Sequence, residues 1–182
     1  MVFQTTINQT CLEVFIGDLS RVEYDAIIIP SNTRLLPSGK LRCAVLRAAG
    51  PKVQLECNYL INNLGLIPAC TAVVTSSGNL MSKNIIHVVG PNTANKPEVN
   101  KLMHATWNCL KTANEKGYKS IGMPSISKGV YSFSPKICAD YMIPTVVKYM
   151  KEQNKNLKKI ALVLEDQEDY DAFCQRIKEL TC

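Results

Sequence analysis

Short apolar runs alternate with longer amphipathic stretches along this chain. AIII (26–29), NIIHVV (84–89), SIGM (120–123) and IALVL (160–164) are nearly continuous in apolar residues. This is the pattern of strands covered on both faces, and it predicts the central strands of a sheet. CLEVFIG (11–17), CTAVVT (70–75) and VFQTTI (2–7) predict further strands, the last at an edge.

Helical periodicity fills the intervals. KLRCAVLRAAG (40–50) is followed by PKVQLECNYLINNLG (51–65), where Val53, Leu55, Tyr59 and Leu60 are expected to share part of one face and Gly65 to close the end. From about 97 to 116, Val99, Leu102, Met103, Leu110 and Ala113 fall near one helical face, and Trp107 joins that stripe as a packing residue. Ser134 and Pro135 offer a cap and a first helical position for a helix towards Met150, in which Pro144 is expected to introduce a kink. Asp166 caps a last helix with Tyr170, Phe173, Ile177 and Leu180 at core spacing.

Strands alternating with helices imply a three-layer α/β/α sandwich, with ligands beyond the carboxyl ends of the strands. SISKGVYSFSP (125–135) then lies in a strand-to-helix loop. Its backbone amides can turn towards an anion, Gly129 permits close approach, and Tyr131 offers a ring. A glycine among serines is also ordinary turn chemistry, so both readings stand at this point.

Composition narrows the class. The chain has 182 residues, 46% of them hydrophobic, enough for one domain with a substantial core. It has no apolar stretch near the roughly 20 residues of a membrane span, and MVFQTTINQT lacks the plan of a secretory signal. We therefore expect a cytoplasmic or nuclear protein without membrane contact. The cysteines at 11, 43, 57, 70, 109, 138, 174 and 182 form no CxxC pair and read as small core residues of a reducing compartment. His87 and His104 have no ligand-spaced partners, and His87 reads as a hydrogen-bonded core histidine. The formal charge of +6 favours acidic partners weakly. Lys148, Lys151, Lys155, Lys158 and Lys159 suit a helix end and a solvated turn, with nucleic-acid contact as the weaker alternative.

Four segments in order resemble the macrodomains, which bind ADP-ribose. They are IGDLSRVEYDAIIIPSN, LRAAGPKVQLEC, AVVTSSGNLMSKNIIHVVGP and SIGMPSISKGVYSF, spanning nearly the whole chain. Within that family the chain looks most similar to macrodomains of vertebrate poly-ADP-ribose polymerase proteins. The resemblance implies a mixed, mostly parallel central sheet and a single macrodomain over 1–182, which a larger protein can carry as a module. It implies no metal or cofactor. Asp18 would accept a hydrogen bond from the adenine amino group, which suits an ionised carboxylate, with Leu19 contributing a neighbouring backbone group. Asn32, at the last position of the family's N-A-A-N, would face the ribose nearest the modified protein. Ser127, Gly129, Val130 and Tyr131 match the loop that wraps the diphosphate, with Tyr131 beside the distal ribose. Lys128 stands where a small residue is common, and either adds a cation or points to solvent.

Other positions depart from the family. The glycine run of its first phosphate loop reads LLPSGKLRCAV here, with Gly39 as the remaining glycine and Leu41 beside it. Pro37 lacks a backbone donor, so weaker or reshaped phosphate binding is expected. Ile29 replaces the first asparagine of N-A-A-N, and Arg42 stands where hydrolytic members of one branch carry an acid. A guanidinium is not a general base, so hydrolysis by that route looks disabled. The aromatic that often covers adenine aligns with Glu165 or its neighbours, and Phe133 is not an evident substitute. The leading expectation is a non-catalytic reader of free ADP-ribose or mono-ADP-ribosylated proteins. The alternatives are an ADP-ribosyl hydrolase that orients water with Asn32, and a degenerate module that binds nucleic acid or protein.

Overall fold

The computed structural model describes residues 1–91, 98–126 and 133–181. Its strands are β1 (Val2–Ile7), β2 (Thr10–Ile16), β3 (Ala26–Ser31), β4 (Ala72–Ser76), β5 (Asn84–Val89), β6 (Ser120–Met123) and β7 (Lys159–Leu164). Its helices are α1 (Lys40–Ala49), α2 (Pro51–Leu64), α3 (Val99–Glu115), α4 (Pro135–Glu152) and α5 (Gln167–Thr181). A short 3-10 turn occupies Leu19–Arg21.

The strands form one sheet in the order β1-β2-β7-β6-β3-β5-β4. The outer pairs, β1 with β2 and β4 with β5, are antiparallel, and the inner pairs are parallel. The expected mixed, mostly parallel sheet is thus observed. VFQTTI forms an edge strand as expected.

Strand alternation divides the core between the two sheet faces. Ala26 and Ile28 of β3, Ile86 and Val88 of β5, and Ile160, Leu162 and Leu164 of β7 pack with α3, α4 and α5. Ile27 and Ile29, Ile85 and Val89, and Ala161 and Val163 pack with α1 and α2. These strands read as continuous apolar runs because both faces are covered.

The boundaries follow local chemistry. Ser134 Oγ accepts from Ile137 N at the start of α4, and Asp166 accepts from Asp169 N at the start of α5. Gly65, at φ 77°, ends α2 with its N–H on Ile61 O. Helix α4 runs through Pro144, and Thr145 Oγ1 donates to Tyr141 O one turn back.

One packing expectation is corrected and another is met. Leu55 and Tyr59 are 66% and 69% exposed, whereas Val53 and Cys57 are buried with Leu60 and Ile61 packed beside them. At about 100° per residue, Leu55 lies on the opposite side of α2 from Val53. In α3 the expected Leu102, Leu110 and Ala113 are buried, with Ala105, Thr106 and Cys109 beside them, Val99 and Trp107 packed against that face and Met103 half-buried. Trp107 meets Tyr149 edge to face at 4.9 Å.

Among the described residues no disulfide forms and no helix is long and apolar enough to cross a membrane.

Candidate functional site

A cavity of about 480 Å³ opens beyond the carboxyl ends of the parallel strands. Pro30 and Ser31 end β3, Gly90 follows β5, Pro124 to Ile126 follow β6, and Val163 to Glu165 end β7. Opposite them stand Asn32 and the segment Ser38 to Arg42, with Asp169 from the first turn of α5. Its size and position are those of a ligand cleft in an open α/β sheet.

Gly39 shapes the wall of the cavity at the start of α1. Its φ of 67° and ψ of 166° fall in a region that is essentially glycine-only. No side chain caps α1, and the first intrahelical bond runs from Cys43 N to Gly39 O at 3.3 Å. The amides of Lys40, Leu41 and Arg42 therefore precede the helical ladder at the positive end of its dipole. No acidic residue occupies that first turn, so the helix end favours an anion.

Asn32 organises the loop that leads there. Its side-chain nitrogen donates to Leu36 O (2.8 Å) and Ser38 Oγ (2.9 Å). Its oxygen accepts from Arg34 N and Leu36 N, both at 3.1 Å. Both N–H donors and both acceptor positions are thus engaged within the loop.

Arg42 turns inward beneath the same loop and is 2% exposed. It donates from Nε to Leu36 O (2.9 Å), from Nη2 to Leu35 O (2.7 Å), and from Nη1 to Ser31 Oγ and to His87 Nδ1 (2.9 Å). Cys57 Sγ lies 3.8 Å from Nη2 as a weak fifth acceptor. Burial holds its pKa below the usual guanidinium value, yet a side chain this basic remains a cation.

Arg42 also sets the state of His87. A guanidinium only donates, so Nδ1 of His87 must accept and Nε2 must carry the proton. Nε2 lies 2.8 Å from Thr75 Oγ1, which donates onward to Ser76 O at 2.8 Å. Burial first, and then the Arg42 charge, push the His87 pKa down to about 3. His87 is the hydrogen-bonded core histidine that the sequence predicted.

Asp18 and Leu19 lie outside the cavity wall. Asp18 Oδ1 accepts from Ser20 N (2.8 Å) and Ser20 Oγ (2.6 Å), which caps the 3-10 turn, and Oδ2 lies 3.3 Å from Arg21 Nε. The Ser20 bonds hold its carboxyl below the usual range. Leu19 buries its side chain in the α1–α2 side of the core. Ser127, Lys128, Gly129, Val130 and Tyr131 lie outside the described residues.

Several wall residues were not singled out from sequence. Ser125 Oγ is buried without a hydrogen-bond partner among the described residues. Asp169 is buried at the opposite wall. Both sit just beyond apolar strands, the place where the strand-end rule directs attention. Glu165 faces Lys40 at 3.9 Å, so a carboxylate stands where an aromatic was sought. Phe133 is buried with α3, α4 and α5 and is no cover for a base. Among the described residues no group of three metal-ligating side chains is found.

A family model described as the Macro domain matches residues 28–142. The chain belongs to the Macro domain family. A Macro domain-containing protein of Listeria monocytogenes is 39% identical over 160 residues, 86% of this chain and 91% of that protein. O-acetyl-ADP-ribose deacetylase 1 of Pantoea vagans is 34% identical over 164 residues, 89% of this chain and 95% of that protein. The Oceanobacillus iheyensis macrodomain, solved as a mutant with ADPR, has a TM-score of 0.93 at 29% identity and covers 99% of this chain and 98% of its own. These relatives are bacterial, so the expected similarity to vertebrate poly-ADP-ribose polymerase macrodomains gains no support from them.

Proposed function

We propose that this macro domain binds ADP-ribose, either free or as a mono-ADP-ribosyl unit on a modified protein, and that it has no general base at position 42. The observation that carries this reading is the cavity walled by the uncapped start of α1. The amides of Lys40 to Arg42 supply donors for a diphosphate, Gly39 lets the backbone approach it, and Lys40 adds positive charge. An occupied cavity also places ligand hydroxyls against Ser125 Oγ, which lacks a partner among the described residues. The O. iheyensis structure with ADPR supports the ligand class.

Individual roles follow from the bonding. Asp18 Oδ1 is committed to Ser20, so the adenine amino group is assigned to Oδ2, displacing its exposed contact with Arg21. Asn32 acts by shaping the first loop, since its own side chain is saturated there. Arg42 neither accepts a proton nor reaches the ligand freely, because its donors are engaged in the core. We assign Ser127, Lys128, Gly129, Val130 and Tyr131 to the diphosphate-binding loop on the family resemblance.

Calorimetric titration with ADP-ribose tests this reading, with ADP and Asp18→Ala as comparators. Saturable binding that weakens in Asp18→Ala is expected; absence of binding by a folded sample overturns the proposal.

A second reading has its own observation. Relatives of Pantoea and Klebsiella are named O-acetyl-ADP-ribose deacetylases, each 34% identical to this chain. Ester cleavage without an acid at position 42 requires water oriented by other groups of the cavity, where Asn32, Glu165 and Asp169 stand, together with the ligand phosphate. Release of acetate from O-acetyl-ADP-ribose at a rate that scales with enzyme concentration establishes that activity, and none is expected under the reader proposal.

A further inference from the structure

The chain's positive charge is concentrated at the end of the molecule opposite the cavity. Segments 111–119 and 148–159 carry eight lysines against Glu115 and Glu152, a surplus that equals the whole chain's formal +6. The fold brings the two segments together. Lys158 N and Lys159 N both donate to Lys119 O, at 2.8 and 3.0 Å. Asn114 Oδ1 accepts from Lys155 N (3.0 Å) and Asn156 N (2.9 Å). These bonds lock the turn before β6 against the turn before β7, and Lys116, Lys119, Lys155 and Lys158 of the two turns are exposed.

Neutralisation there is incomplete. Lys159 is taken by Glu13 at 2.9 Å, Lys111 lies 3.8 Å from Glu115, and Asp25 is taken by Lys83 at 2.8 Å. Among the described residues no carboxylate lies within ion-pair distance of Lys116, Lys119, Lys155 or Lys158. Like charges gathered by backbone hydrogen bonds repel one another, and a polyanion relieves that repulsion.

From this face we infer a second binding site, one for the phosphate backbone of a nucleic acid. Its cations are all lysines; neither segment contains an arginine. Lysine meets phosphate as a point charge and lacks the fork that reads guanine, so binding is independent of sequence. Because β6 and β7 run from this face to the cavity, about 13–20 Å at some 3.3 Å per residue separate the two sites. Nucleic acid and ADP-ribose therefore bind simultaneously.

The test is fluorescence anisotropy with a labelled DNA duplex of about 20 base pairs across a salt series, on the whole chain and on Lys116→Glu/Lys119→Glu/Lys155→Glu/Lys158→Glu. The wild type is expected to bind at low salt with a steep log–log salt slope. The variant is expected to bind at least about tenfold more weakly, with the slope shallower by roughly three to four. A scrambled duplex binds equally, and saturating ADP-ribose leaves the affinity unchanged. Circular dichroism and the urea midpoint show that the variant is folded, whether or not ADP-ribose binds. Unchanged affinity in the folded variant, competition by ADP-ribose, absence of duplex binding at low salt, or binding to anionic vesicles in place of duplex each overturns the inference.

Discussion

Arg42 shows how one side chain at the start of a helix ties a loop to the core beneath it. The sequence revealed that a cation occupies a position where an acid serves hydrolysis elsewhere in the family; it did not reveal that the side chain points into the core. Pattern gives residue type at a position, whereas direction depends on the acceptors folding gathers, here Leu35 O, Leu36 O, Ser31 and His87. Arg42→Met should therefore destabilise the protein by about 3–5 kcal/mol, measured by urea denaturation, because it strands buried acceptors. A loss below about 1 kcal/mol would mean that these bonds are replaced by water. His87 makes the same network sensitive to acid. Its folded pKa is about 3 and its unfolded value near 6.5, so the unfolded chain binds a proton first as pH falls. Stability is full above about pH 6.5 and declines towards pH 3, by about 2–3 kcal/mol from this residue at pH 4.5. The difference in pH slope between wild type and His87→Gln isolates that contribution, and identical slopes would refute it. Asp18 was readable as a short polar residue before a turn, and its capping bonds agree with that plain role; recognition of adenine by Oδ2 is left to the titration.

At the scale of elements, strand cores and helix caps were readable because both are local. AIII and IALVL have no polar residue to expose, and Ser134–Pro135 and Asp166 are start signals in themselves. The buried face of α2 was misread because Leu55 and Tyr59 are as apolar as the residues that pack, and only the location of the sheet chooses between the two sides. That choice is measurable. Val53→Ala should cost about 1–3 kcal/mol, while Leu55→Ala and Tyr59→Ala should stay within about 0.5 kcal/mol; the reverse order would place the other face of α2 inward. Gly39 links an element to function. A Cβ there meets nothing within 4 Å, so the penalty of Gly39→Ala is conformational, not steric. Restoring negative φ turns the amides of Lys40 and Leu41 away from the cavity, and ADP-ribose affinity is expected to fall about tenfold or more with little change in the urea midpoint. Unchanged affinity would show that the first turn of α1 does not hold the diphosphate.

Over the whole molecule, the alternation of strands and helices was enough to predict the three layers and the end of the sheet that carries the cavity. The strand order was not readable, because pairing partners are set by tertiary packing and several orders bury the same apolar runs. The order has a bearing on how the protein is made. Strand β7, the last of the seven in chain order, lies between β2 and β6 and joins the β1–β2 hairpin to the remaining four strands. Until residues 159–164 are in place, that hairpin has no strand to pair with beyond its own two and one edge of β6 is bare. Residues 1–158 therefore supply two incomplete sheets, and β7 acts as the keystone that commits both to one structure.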